Sequence, residues 1–349
     1  FSDTLMGFTL PGRNARGRIV RLEGVLEEVL SAHDYPAPIT HLLGEALVLG
    51  ALMGGLLKGE TAQMTLQAQT QGGIVKLLVC DYRAGAVRGY ADFDGERLAK
   101  LGSNPALQTL FGEGYLAITF ETEGRQRYQG IVPLEGDSLA EACQVYFSQS
   151  EQIPTLIRVA SRAGGDGRSA AGLLVQHLPD GEEGRERLHV RMDHPDWEHV
   201  AVMAGSISHD ELLDRTLSLE AIAWRLFHEE DEVRVVPGAA LSRGCRCSAE
   251  YYAGVLRQFP ETERVDMADE AGNIVVINAD NSDIVRHDNA DMLTGLQQMA
   301  GARVGYRYDA NRFGQALDPV GQAVHRILPG FGSGAVPLIN LTVVTILSC

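Results

Sequence analysis

One change of rhythm constrains what this chain can fold into. Between about residues 61 and 178, strand-like segments, some with apolar residues at every second position, lie between glycine-bearing turns. Beyond residue 187 apolar residues recur at every third and fourth position. A period of two belongs to strands with one buried face and a period near 3.6 to amphipathic helices. In Thr61 to Thr70, Met64, Leu66 and Ala68 share one face, with Gln63, Gln67 and Gln69 nearby on the other. Gly72-Gly73 marks a turn, Ile74 to Cys80 is a near-continuous apolar strand, and Ala86 to Asp92 a third. Tyr115 to Glu121 and Gln126 to Val132 read as a hairpin about Glu123-Gly124. Strands Thr155 to Ser161 and Ala170 to Gln176 flank Gly164-Gly165-Asp166-Gly167. That cluster reads as a hairpin tip and not a phosphate cradle, because no helix start or Lys-Ser/Thr pair follows it.

Two helices interrupt the strands. Residues 40 to 57 form one, with Thr40 as N-cap and the small residues Gly50 and Gly54 on its packing side. Ser138-Leu139-Ala140-Glu141 is a capping-box pattern that opens the other, through about Ser148. The expected class is therefore α+β: an N-terminal core with a mostly antiparallel sheet and packed helices over residues 1–185.

A polar boundary, Pro179 to Arg187, introduces a helical linker over 186–240. Trp197, Val200, Ala201 and Ala204 keep helical spacing, Ser208 and Glu211 form a second capping box, and Ser218 caps a further helix. There Leu219, Ile222, Ala223, Leu226 and Phe227 make an apolar stripe, expected to pack against the first domain. A small cysteine-containing unit of redox or zinc type follows over 241–283, then a divergent tail, 284–349.

Cys245 and Cys247 stand one residue apart. Two thiolates at that spacing can hold one Zn²⁺, which then needs two more nitrogen or sulfur ligands. They can also close a tight, readily reduced disulfide, or simply be small buried hydrophobes. Cys80, Cys143 and Cys349 are scattered; Cys80 and Cys143 lie in apolar contexts that predict burial and inertness. Five cysteines without regular spacing are no secreted disulfide framework, so a reducing compartment is expected. No basic stretch followed by an apolar run opens the sequence, so no signal peptide is expected and the location is read as cytoplasmic. The net charge of -16 argues against nucleic-acid or membrane-surface partners. Ile39 to Leu57 is apolar but carries His41 and Glu45, which suits a buried helix. No HExxH, GxSxG or Walker pattern points to an enzyme.

Several separated segments then share one resemblance. Val87-Arg88-Gly89-Tyr90-Ala91-Asp92, Tyr128 to Ser138, Tyr146 to Pro154, Ala171 to Leu174, Trp224 to Glu230, Arg243 to Ser248 and Asp269 to Gly272 occur in the order of one family. Over residues 3 to about 276 the chain resembles the heat shock protein 33 family, bacterial redox-regulated holdase chaperones. The resemblance implies an ATP-independent chaperone and no catalysis. It also implies unfolding client proteins as partners and a homodimer in the active state. In that family the Cys-x-Cys pair is joined about thirty residues later by a Cys-x-x-Cys pair. The four thiolates hold zinc when reduced; oxidation forms two disulfides, expels the metal and unfolds the adjoining linker. Zinc is thus the implied cofactor, with Cys245 and Cys247 as metal and redox residues.

Here the pattern breaks. Asn278 and Asn281 occupy the positions of the second pair, and an amide is a weak, neutral zinc ligand that forms no disulfide. Asp280, Asp283, His287 and Cys349 are the other ligand types within the same stretch or tail. The leading expectation is a holdase with an altered switch, active in part under reducing conditions. The alternatives are a thiol-disulfide oxidoreductase, with Arg243 and Arg246 lowering a thiol pKa, and a binding protein for one fixed partner.

Overall fold

The computed structural model describes residues 2–178 and 193–244 apart from loop positions 32, 58, 60, 71, 103, 104, 123, 125, 165 and 166. Beyond them it describes Arg257, Pro260 and two strands. The elements in chain order are β1 (Thr4–Leu10), β2 (Ala15–Leu22), α1 (Gly24–Leu30), α2 (Ala37–Gly54), β3 (Gln63–Thr70), β4 (Val75–Arg83) and β5 (Ala86–Phe93). Next come α3 (Gly95–Leu98), α4 (Leu107–Phe111), β6 (Gly114–Glu121), β7 (Tyr128–Pro133), α5 (Leu139–Tyr146), β8 (Thr155–Arg162) and β9 (Ser169–His177). Helices α6 (Pro195–Gly205), α7 (His209–Leu213) and α8 (Leu219–Phe227) precede β10 (Arg234–Ala240) and β11 (Ser242–Arg243). Two compact units divide the chain, Phe1–Gly244 and Cys245–Cys349. Within the second, the described strands β12 (Asn273–Ile277) and β13 (Ile284–Asp288) pair antiparallel.

The first unit is α+β, as the change of rhythm predicts. A five-stranded sheet runs β10-β1-β2-β9-β8 and a six-stranded sheet β11-β5-β4-β3-β6-β7. Their pairings are antiparallel except that of β11 with β5. The predicted hairpin forms between β6 and β7, and the glycine cluster connects the antiparallel pair β8 and β9.

Helix α2 packs against both sheets and fills the space between them. Fourteen of its residues are buried, which explains its apolar circumference. It is long and apolar enough to cross a membrane, but 78% of that stretch lies inside the fold. Small residues let it sit close. A Cβ on Gly50 would stand 2.6 Å from the Cys80 Sγ, and one on Gly172 of β9 would stand 2.4 Å from Val48 Cγ1. Packing at this distance leaves no room for even one more methyl.

Three local expectations are corrected. Thr40 is not the cap of α2: the helix begins at Ala37 after Pro36, and the Thr40 hydroxyl donates to the Tyr35 carbonyl at 3.3 Å. Pro38 in the first turn sets the earlier start, since its fixed φ and missing N–H suit that position. At α5, Ser138 caps as predicted, but the Glu141 carboxylate accepts from the Asp137 amide, one residue before the cap. That helix also gives way to a π turn over Phe147–Glu151. Last, the described part of the expected helical linker is not helical throughout, because Arg234–Ala240 is a strand. All seven of its residues are exposed, Pro237 interrupts it, and its pairing with β1 shifts register between Leu5 and Gly7.

The matched segment Val87 to Asp92 lies in β5, where Arg88 donates through Nε at 2.8 Å to buried Asp81. Thr65 donates to the other oxygen of that carboxylate at 2.5 Å. Ion pairing and hydrogen bonding together offset the cost of taking both charges out of water.

Candidate functional site: a helical cover on the five-stranded sheet

The helical run after residue 193 buries its apolar stripe, as its spacing predicts. Leu219, Ile222, Ala223, Leu226 and Phe227 all face the core, in contact with β1 and β2. With Trp197, Val200 and Ala204 of α6 and Leu212 and Leu213 of α7, they cover one face of the five-stranded sheet. The sheet meets them with Met6, Phe8, Leu10, Ile19, Leu173 and Val175, and the Phe8 and Phe227 rings lie 5.4 Å apart. This core is separate from the cluster around α2. Each large side chain in it contributes roughly 1.5–3 kcal/mol by leaving water.

Capping holds the three short helices in shape. Ser208 and Glu211 form the reciprocal box that the sequence announces, and the Ser218 hydroxyl accepts from the Ala221 amide. His194, which the sequence did not single out, caps α6 by accepting from the Asp196 amide.

The rim of the contact is polar and rich in arginine. Arg21 of β2, 1% exposed, donates from Nη1 to the Leu217 carbonyl at 2.8 Å and from Nη2 to that of Leu212 at 3.1 Å. It thereby fixes the turn between α7 and α8. Arg158 of β8 donates to the Gly205 carbonyl at the end of α6, and Arg215 donates to Glu23 at 2.7 Å. Arg13, in the turn between β1 and β2, binds Asp196 at 2.7 Å and Glu230 at 2.8 Å. Sequence reasoning missed these arginines. A single Arg, in a turn (Arg13, Arg215) or a strand (Arg21, Arg158), carries no periodic signal, and its partners lie far along the chain.

Little apolar surface stays exposed among the described residues. The large side chains are Tyr128, Ile131, Val202, Trp224, Val235 and Val236. Trp224 lies on the solvent side of α8, 61% exposed, opposite the buried stripe.

The cysteines divide in two. Cys80 and Cys143 are free and buried, and burial pushes both thiols far above the ordinary range, with Asp81 and Glu45 adding to the shift. They are suppressed as nucleophiles, in line with their apolar sequence context. Cys245 and Cys247, with positions 278 and 281, lie outside the described residues. The chemistry of that donor set is still decisive. Two thiolates and two neutral amides do not fit the four-thiolate structural zinc centre implied by the resemblance. Among the described residues, no group of three or more His, Cys, Asp or Glu side chains is placed to hold a metal.

Comparison with known proteins agrees with the fold. The family model described as Hsp33 protein matches residues 3–278. The 33 kDa chaperonin of Caulobacter vibrioides (strain NA1000 / CB15N) is 37% identical over 283 residues, covering 78% of this chain and 91% of the relative. That of Shewanella woodyi is 35% identical over 273 residues, covering 78% and 88%. The crystal structure of the 33 kDa chaperonin from Thermotoga maritima superposes with a TM-score of 0.66, covering 83% of this chain and 97% of that one. At 23% identity it speaks for the fold alone. With several separated motifs in order, a match over residues 3–278 and relatives alike over nearly their whole length, the chain belongs to the Hsp33 family.

Proposed function

We propose that this chain is a cytoplasmic holdase that captures unfolding proteins without ATP, and that its thiol switch is reduced to Cys245 and Cys247. Family membership supports the chaperone activity, since the curated relatives carry the name 33 kDa chaperonin. The observation that carries the mechanism is the second hydrophobic core. An apolar sheet face and an apolar helical face cover one another there, around Phe8 and Phe227. Such a contact is bistable: closed, it offers clients little; open, it presents two apolar surfaces of the kind unfolded chains bind.

In the reduced chain the two thiols are the only part of the family's cysteine quartet present. Their oxidation to a disulfide releases two protons and passes two electrons to an oxidant such as hydrogen peroxide. No step runs through zinc, because the donor set does not fit it. Without a full metal clip, folding around the cysteines gains no metal-binding energy. The helical cover is correspondingly easier to open, and the active form is a homodimer.

The test is aggregation of a heat-denatured client, with and without dithiothreitol. Partial suppression under reducing conditions, increased by peroxide, is the expected result. Strict dependence on oxidation refutes the altered switch, and no suppression in either condition refutes the holdase reading. Nothing observed favours an oxidoreductase, and no turnover in an insulin-reduction assay is expected.

A further inference from the structure

The arginines around the helical cover do not all do the same thing. Arg21, Arg158 and Arg215 each touch one turn or one end of a helix. Arg13 alone among them reaches both ends of the helical run. Its Nη1 donates to Asp196 Oδ1, in the first turn of α6, and its Nε donates to Glu230 Oε2, just past α8. The second Glu230 oxygen lies 2.8 Å from His199 Nε2 of α6, so the carboxylate also ties α6 to the end of α8.

We propose that Arg13 is an electrostatic clasp that keeps residues 193–230 closed over the sheet, an autoinhibitory contact separate from the thiols. Its geometry stands on the distances alone; its effect on client capture rests on the holdase reading above. A planar guanidinium presents several donors in a fixed fork, so one side chain can serve two carboxylates at once. Losing it frees both ends from the β1–β2 turn together. Asp196 responds to the pairing: its hydrogen bond from Arg13 holds the carboxyl below the ordinary range. At Glu230 burial works the other way, yet Arg13 and His199 still hold the carboxyl below its usual value.

The clasp is also reachable from solvent. The Arg13 and Asp196 side chains are 33% and 31% exposed, against 10% for Glu230. Mobile ions therefore screen one arm more than the other, and the closed state is sensitive to ionic strength where an apolar contact is not.

The experiment is hydrogen exchange on the full reduced chain, as wild type, Arg13→Gln and Arg13→Lys, at about 0.01 M and about 0.5 M salt. In Arg13→Gln, amides of α6 and α8 are expected to exchange about five- to tenfold faster at low salt, with β3 and β4 unchanged. Arg13→Lys should fall between, because an ammonium lacks the fork. Added salt should speed exchange of α6 and α8 more in wild type than in Arg13→Gln, where the Arg215–Glu23 and His199–Glu230 pairs are still screened. Equal protection in wild type and Arg13→Gln overturns the clasp. So does a uniform loss across β3, β4, α6 and α8, which would show only a general contribution to stability. Client capture is measured on the same samples. Faster exchange of α6 and α8 without any gain in capture upholds the clasp and refutes the holdase reading of the covered surface.

Discussion

Glu45 of α2 is half-buried with its carboxyl end enclosed, and Oε1 accepts the Ala140 amide at 2.9 Å at the start of α5. Burial pushes its carboxyl up to about 7, although the backbone donors of α5 pull the other way. The folded state thus holds a proton that the unfolded state releases nearer 4.5. Stability from this group is complete below the unfolded value and is lost as pH rises through the folded one. Thermal melts should show wild type losing on the order of 3 kcal/mol from this site between pH 5 and 8. Glu45→Gln keeps the acceptor for Ala140 and should flatten that slope; an unchanged slope would remove Glu45 as its source. Three residues beyond Ala140, Cys143 is sealed in the same core, and Cys80 lies beneath α2. Thiol titration of the native reduced chain at pH 7 should leave both unreacted until denaturant is added.

At the level of elements, α8 has two faces with opposite tasks. Ile222 is 2% exposed against the sheet, whereas Trp224 is 61% exposed on the far side. Ile222→Ala should cost about 2–5 kcal/mol of closure, seen as faster exchange in α6–α8 and more client capture in dithiothreitol. Trp224→Ala should change stability by no more than about 0.5 kcal/mol, measured by the same exchange and a thermal melt. The α8 stripe was legible because period and capping agree there, and Ser208 and Ser218 cap as their sequence predicts. Strands β3 to β9 were legible from alternating or near-continuous apolar runs between turn residues, whereas β1 and β2 were not read. Thr40 misled because Pro38 supplies a stronger start signal two residues earlier. The strand Arg234–Ala240 was not legible, since its seven residues are exposed on both faces and so carry no alternation. Nor were Arg13 and Arg21, whose meaning lies in partners that only the folded chain brings near.

For the whole molecule, the chain departs from the cysteine pattern that the resemblance implies at Asn278 and Asn281, beyond the unit Phe1–Gly244. Replacing both Cys245 and Cys247 by Ser should leave reduced-state client capture at the wild-type level and abolish any gain from peroxide. A metal assay on the reduced chain should find no stoichiometric zinc. Reduced-state capture that rises in the double Ser variant would show that the pair still holds the reduced molecule closed. On the proposed reading, a chain that opens apolar surface also runs the risk of pairing sheet edge to sheet edge with its own copies. At one of the two edges of the five-stranded sheet, β10 answers that hazard. Pro237 takes away an amide donor and the irregular pairing bends the border out of line, so a neighbouring copy finds no straight row of groups to zip onto.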